Sequence, residues 1–212
     1  KTMLDTVSRN KLGIAPLKLY LKKINAVKNV KDLQALLIEM EPTGGIGFFG
    51  AGVGTDAKNS NVNVINLGPG GVGLPDRDYY VSDEKDSKEK REKYVLHVAK
   101  MLQYLGDKPE QAKANAEKIL ALEIEMSKPR FDRVERRDRR KSYNPMTVAE
   151  IQKLTPSIDW TTYFTKIGLP TNQTIIVSQP KYMTALETLF KENKVDDWKA
   201  YMRWSLLNRA AS

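Results

Sequence analysis

Cysteine is absent from the 212 residues, which removes disulfides, thiolate metal sites and cysteine nucleophiles together. Histidine is nearly absent too, since His97 stands alone. A two-histidine zinc site cannot be built from one ring, and no His-Glu-x-x-His occurs. No apolar run approaches the roughly 20 residues that span a bilayer, so no membrane contact is expected from this segment. The chain opens at Lys1 without a positive-then-apolar leader. Gly-x-Ser-x-Gly elbows, Walker A sequences and calcium-loop spacings are missing as well. The expectation is that these residues supply no catalytic side chain, no metal ligand and no cofactor site.

What is present is ordinary for a folded chain: 41% hydrophobic and 29% charged residues, enough for a sizeable core. Lysine and arginine exceed aspartate and glutamate by 35 to 26, giving +9. Much of the excess lies in residues 130–141, where seven basic residues meet three acidic ones. Asp132 with Arg136, and Glu135 with Arg139, have the i,i+4 spacing that pairs charges on a helix. Phe131 is the one aromatic in that run, so there is no row of base-stacking platforms, and no nucleic-acid partner is expected.

Periodicity predicts a mainly α domain with one small β element. Leu17, Leu21 and Ile24 form a stripe after Pro16, and Asn29 caps a helix carrying Leu33, Leu36, Leu37 and Met40. Residues 47–54 and 62–67 read as two strands around a polar turn, and 174–177 could extend the antiparallel hairpin to a three-stranded sheet. Tyr94, Val98, Met101, Leu102 and Leu105 give the strongest helical signal, closed by Gly106. Pro109 opens the next helix, with Ala112, Ala116, Ile119, Leu120 and Met126 inward. Glu123 falls in that stripe, at the rim or paired with a cation, because a lone buried carboxylate is costly. Thr147 to Glu150 is a capping box, and further helices carry Trp160 to Ile167, Met183 to Phe190, and Trp198 to Leu206. Residues 1–10 read as the tail of a helix already under way, as if excised from a longer chain. No composition break divides residues 1–212, so one domain is expected.

Gly45-Ile46-Gly47-Phe48-Phe49-Gly50 spells G-x-G-x-x-G but follows a helix and leads into a strand. That is the reverse of the strand-to-helix context a dinucleotide needs. The most specific string is Gly73-Leu74-Pro75-Asp76-Arg77-Asp78-Tyr79-Tyr80. Pro75 fixes a backbone angle, Arg77 can bridge Asp76 and Asp78, and Tyr79 and Tyr80 offer rings to bury. An architectural corner is preferred over direct substrate contact.

That string, with residues 53–60 before it and Ser142-Tyr143-Asn144-Pro145-Met146-Thr147, Asp159-Trp160 and Gln179-Pro180-Lys181-Tyr182-Met183 after it, resembles the N-terminal half of neprilysin-type zinc metallopeptidases. Animal members are disulfide-rich, so a cysteine-free chain resembles a bacterial member. The resemblance implies a parent enzyme, outside the cytoplasm, with two helical lobes around a cavity that admits oligopeptides. It also implies zinc and catalysis in a C-terminal domain not contained in residues 1–212, and a cap role for this lobe. A free-standing basic module for an acidic or nucleic-acid partner is the alternative.

Overall fold

The computed structural model describes residues 5–210. Residues 1–10 were expected as the tail of a helix already under way, and the first four of them lie outside that range. Helix α1 spans Thr6–Leu12, and after a 3-10 turn at Ala15–Leu17, where Pro16 sits, α2 runs Lys18–Ala26. Asn29 caps α3 (Val30–Met40), its side chain accepting the Asp32 N–H at 2.9 Å. The anticipated stripe is the buried face, with Leu33, Leu36, Leu37 and Met40 at most 5% exposed.

Strands β1 (Phe49–Thr55) and β2 (Asn63–Pro69) pair antiparallel from Phe49 opposite Pro69 to Thr55 opposite Asn63. The sheet is larger than the hairpin or three-stranded form expected. Its order is β1-β2-β4-β3, with β3 at Asn144–Met146 and β4 at Ile175–Val177. β4 lies parallel to β2 and antiparallel to β3. Three residues containing a proline carry no alternation to recognise, yet at an edge Pro145 needs no ladder N–H. The parallel pairing follows from the long helical crossover between β2 and β4.

Between them come α4 (Asp78–Val81), α5 (Lys85–Tyr104) and α6 (Pro109–Ser127). Gly106, at φ +94°, takes the left-handed conformation that ends α5. Asp107 in the same turn receives both Arg203 terminal nitrogens, at 2.6 and 3.1 Å. That fork fastens the α5–α6 turn to the last helix. α7 (Val148–Leu154) begins with the expected capping box at Thr147 and Glu150. α8 (Trp160–Lys166), α9 (Pro180–Glu192) and α10 (Val195–Ala210) complete the chain.

The result is a mainly α fold with one mixed sheet laid against its helices. Phe48 enters a ring cluster with Phe190, Trp198 and Tyr201, at centroid distances of 5.9, 5.0 and 5.0 Å. α10 packs on α6, α5 and α2, so one continuous core joins the N-terminal helices to the C-terminal one.

Candidate functional site

The 73–80 corner leads from the sheet into α4 and α5. Asp76 builds the turn locally, its Oδ1 accepting the Asp78 N–H at 3.1 Å. Its Oδ2 receives Arg133 and Arg136, at 3.1 and 2.8 Å. Burial raises the Asp76 carboxyl, but the Asp78 N–H and the two guanidinium groups outweigh it and hold the group below its ordinary range. Arg77 therefore does not bridge two acids. Among the described residues it reaches Asp78 alone, at 3.3 Å, and its Nε is buried without a hydrogen-bond partner.

The basic run is also organised differently from a paired helix. Residues 135–137 make one 3-10 turn, Asp132 accepts the Glu135 N–H at 2.7 Å, and Glu135 pairs with Lys141 at 3.1 Å. Arg136 turns away from its i,i+4 acid to reach Asp76, 60 positions back. Local spacing encodes such pairs only if the helix forms, and here it does not.

The cation that stitches the corner is Arg91, on α5. Its Nη1 donates to the carbonyls of Tyr79 at 2.6 Å, Tyr80 at 3.4 Å and Ser82 at 2.9 Å. Nothing in the sequence marks Arg91 among the surrounding lysines and glutamates of α5, because its acceptors are backbone groups. Of the expected motif residues, Pro75 is exposed, Arg77, Asp78 and Tyr79 are half-buried, and Tyr80 is buried. Lys90 lies over the Tyr79 ring, 4.3 Å from its centroid.

Beneath the corner sits Glu123, 1% exposed. It is neither at a rim nor held by a cation in contact. Tyr80 Oη donates to its Oε2 at 2.8 Å and the Gly73 N–H to its Oε1 at 3.0 Å, and the Tyr94 hydroxyl acts on the same carboxyl. Leu74 N–H in turn donates to Tyr80 Oη at 2.6 Å, and Trp204 Nε1 to Tyr94 Oη at 2.8 Å. The Leu74–Tyr80 relay thus ends on this carboxyl, with the Trp204–Tyr94 pair beside it. Burial pushes Glu123 up to about 7, while the tyrosines and the Gly73 N–H restrain the rise. The same burial raises Tyr80 and Tyr94, so both stay protonated donors.

Glu123 also lines a cleft of about 230 Å³ with Gly47, Gly71, Gly73, Trp204 and Ser205. A methyl group at Gly73 would overlap the Tyr94 hydroxyl, which explains a glycine at the head of the string. Two of the G-x-G-x-x-G glycines serve tight turns before β1, Gly45 at φ +67° and Gly47 at φ +86°, and Gly50 lies within the strand. They do not lead into a helix N-terminus.

The sequence matches Peptidase family M13, in its N-terminal part, over residues 1–212. The chain belongs to peptidase family M13. It is 31% identical to endothelin-converting enzyme 1 of Cavia porcellus over 170 residues, covering 78% of this chain and 22% of that protein. The open state of the zinc metalloprotease ZMP1 of Mycobacterium tuberculosis is 30% identical, with a TM-score of 0.86, covering 96% of this chain and 32% of that one. PEPO from Lactobacillus rhamnosis has the same fold, at a TM-score of 0.81 and 18% identity, covering 96% of this chain and 32% of that one. This M13 chain thus spans about a fifth of the length of the curated relatives it matches.

A zinc ion does not fit the described residues of this M13 segment. Among the described residues no three His, Cys, Asp or Glu side chains gather to hold a metal. His97 is exposed on α5 with its ring edge-on to Trp204, 5.8 Å between centroids. Also among the described residues, no helix is long and apolar enough to cross a membrane.

Proposed function

We propose that residues 1–212 form one domain, the N-terminal cap lobe of a zinc metalloendopeptidase that acts on oligopeptides. In the whole enzyme the lobe closes one side of the cavity and limits entry to short, flexible chains. Its partner is the C-terminal catalytic domain, which holds the zinc and the general base. Alone, the lobe hydrolyses nothing. The enzyme works outside the cytoplasm, in the periplasm, at the cell surface or secreted. Within the lobe, Pro75, Arg77, Asp78, Tyr79 and Tyr80 act as a structural corner, with Arg91 and Glu123 as its anchors.

The supporting observation is a match along all 212 residues to part of a family whose members are several times longer. The bonds of Tyr80 to Glu123 and of Arg91 to three carbonyls support the corner role, since they point inward. Two measurements test the reading. A reading frame continuing past Ser212 to a His-Glu-x-x-His supports it, and a gene that stops at Ser212 overturns it. Elemental analysis of the purified chain should show no stoichiometric zinc, and a short peptide should stay uncut; chelator-sensitive cleavage would refute the inert cap.

A further inference from the structure

Two adjoining hollows, of about 380 and 610 Å³, lie between the 73–80 corner and the start of α9. They share Arg77, Arg130 and Phe131. Six cations line them, Arg77, Lys128, Arg130, Arg136, Lys141 and Lys181, against the carboxylates of Asp76 and Glu135, and Lys128 is paired with Glu125 outside the lining. Both carboxylates are already engaged, Asp76 by Arg133 and Arg136, and Glu135 by Lys141. Asp132, which feels the Arg77 charge, accepts the Glu135 N–H at 2.7 Å. Arg130 spends Nη1 on the Gly70 carbonyl at 2.7 Å and Nε on that of Met126 at 3.1 Å. Those acceptors are neutral, so its positive charge remains in the lining.

Of the groups lining the hollows, Arg77 is the one that holds a buried donor without a partner among the described residues. A guanidinium offers five N–H donors in a rigid fork. Among the described residues Arg77 uses one, on Asp78 at 3.3 Å, while its Nε is buried with no acceptor. A buried donor left unpaired is costly unless another group completes it. Apolar surface stands beside the fork, from Pro129, Phe131 and Pro180.

The geometry points to a binding site for an organic carboxylate, taken in the fork of Arg77 with Lys181 beside it. A planar carboxylate fits a guanidinium in two parallel bonds. The proline and phenylalanine walls favour an anion that carries carbon over a bare inorganic one. The carboxylate can be an acidic side chain of a peptide or a free organic acid.

Calorimetry on the 212-residue chain at physiological salt separates these cases. The probes are end-capped Ala-Glu-Ala-Glu-Ala, the same peptide with Gln for Glu, glutarate, inorganic phosphate and a short DNA duplex. The Glu peptide or glutarate should bind about tenfold more tightly than the Gln peptide, the scale of a charge-assisted fork. Arg77→Lys keeps the charge but removes the fork, and should weaken that binding about tenfold. Lys181→Gln changes an exposed side chain and should weaken it a few-fold without disturbing the fold. Tighter binding of the Glu peptide assigns the carboxylate to a peptide, and tighter binding of glutarate to a free acid; both support the site. Equal binding of Glu and Gln peptides with none of glutarate overturns it. So does unchanged affinity in folded Lys181→Gln, or phosphate or DNA binding more tightly than every carboxylate.

Discussion

Tyr80 Oη lies 2.8 Å from Glu123 Oε2, a bond that joins residues 43 positions apart. It connects the end of the 73–80 corner to the C-terminal half of α6, and the same hydroxyl accepts the Leu74 N–H. One oxygen therefore holds the loop both to itself and to the core. Tyr80→Phe removes the acceptor for Leu74 and a donor to a buried carboxyl. It should lower stability by about 1–3 kcal/mol, measured by urea unfolding, with little change in helical circular dichroism. A loss well under that range would mean that Gly73 and Tyr94 suffice.

Glu123 should give the chain a distinctive pH dependence. Its carboxyl titrates near 4.5 when unfolded and near 7 when folded. Between those values the folded state keeps a proton the unfolded state has released, so stability falls as pH rises. The fall should total about 3 kcal/mol and level off above pH 7. Glu123→Gln lacks this slope. Urea unfolding of both chains at pH 5 and pH 7.5 should show the wild type losing ground against the variant. An equal slope in the two proteins would remove Glu123 as its source.

Two glycines should respond in opposite ways. Gly73→Ala drives a methyl group into the Tyr94 hydroxyl, which Trp204 holds in place. Such overpacking costs about 1–3 kcal/mol. At Gly52 an added methyl meets nothing within 4 Å, and φ is not positive. Gly52→Ala should be neutral or stabilise by about 0.4–1 kcal/mol, through the unfolded state. Melting temperatures of the two variants decide the matter, and similar losses at both sites would contradict the packing described around Gly73.

Arg91 and Arg77 also separate by environment. Arg91→Ala leaves three carbonyls of the corner without their donor and should cost about 1–3 kcal/mol. Arg77 has one long contact to a half-exposed Asp78, with side chains 25% and 42% exposed. Its removal should cost under about 1 kcal/mol. Thermal unfolding of the two alanine variants tests the order, and a larger loss at Arg77 would reverse the assignment of the stitching cation.

Much of this molecule could be read along the chain. The caps at Asn29 and Thr147, the α5 and α6 stripes and the strands around the 56–62 turn are local. Each depends on 3.6- or 2-residue periodicity and on backbone groups a few positions away. Family membership was legible for a similar reason, because Leu74-Pro75-Asp76-Arg77-Asp78-Tyr79-Tyr80 is contiguous. What the corner is tied to was not legible. Glu123, Tyr94 and Arg91 reach it from α5 and α6, and their partners are backbone carbonyls, an N–H and hydroxyls that carry no sequence signature. By spacing Arg77 could bridge Asp76 and Asp78, yet Asp76 bonds to Arg133 and Arg136 because the 130–141 run folds back over the corner instead of forming a helix. The fourth strand depended on tertiary structure in the same way: Asn144–Met146 becomes a strand only because β4 offers it an edge. Short-range order was written in residue spacing, whereas the choice among chemically equal partners needed the packed chain, since only packing decides which of them come within bonding distance.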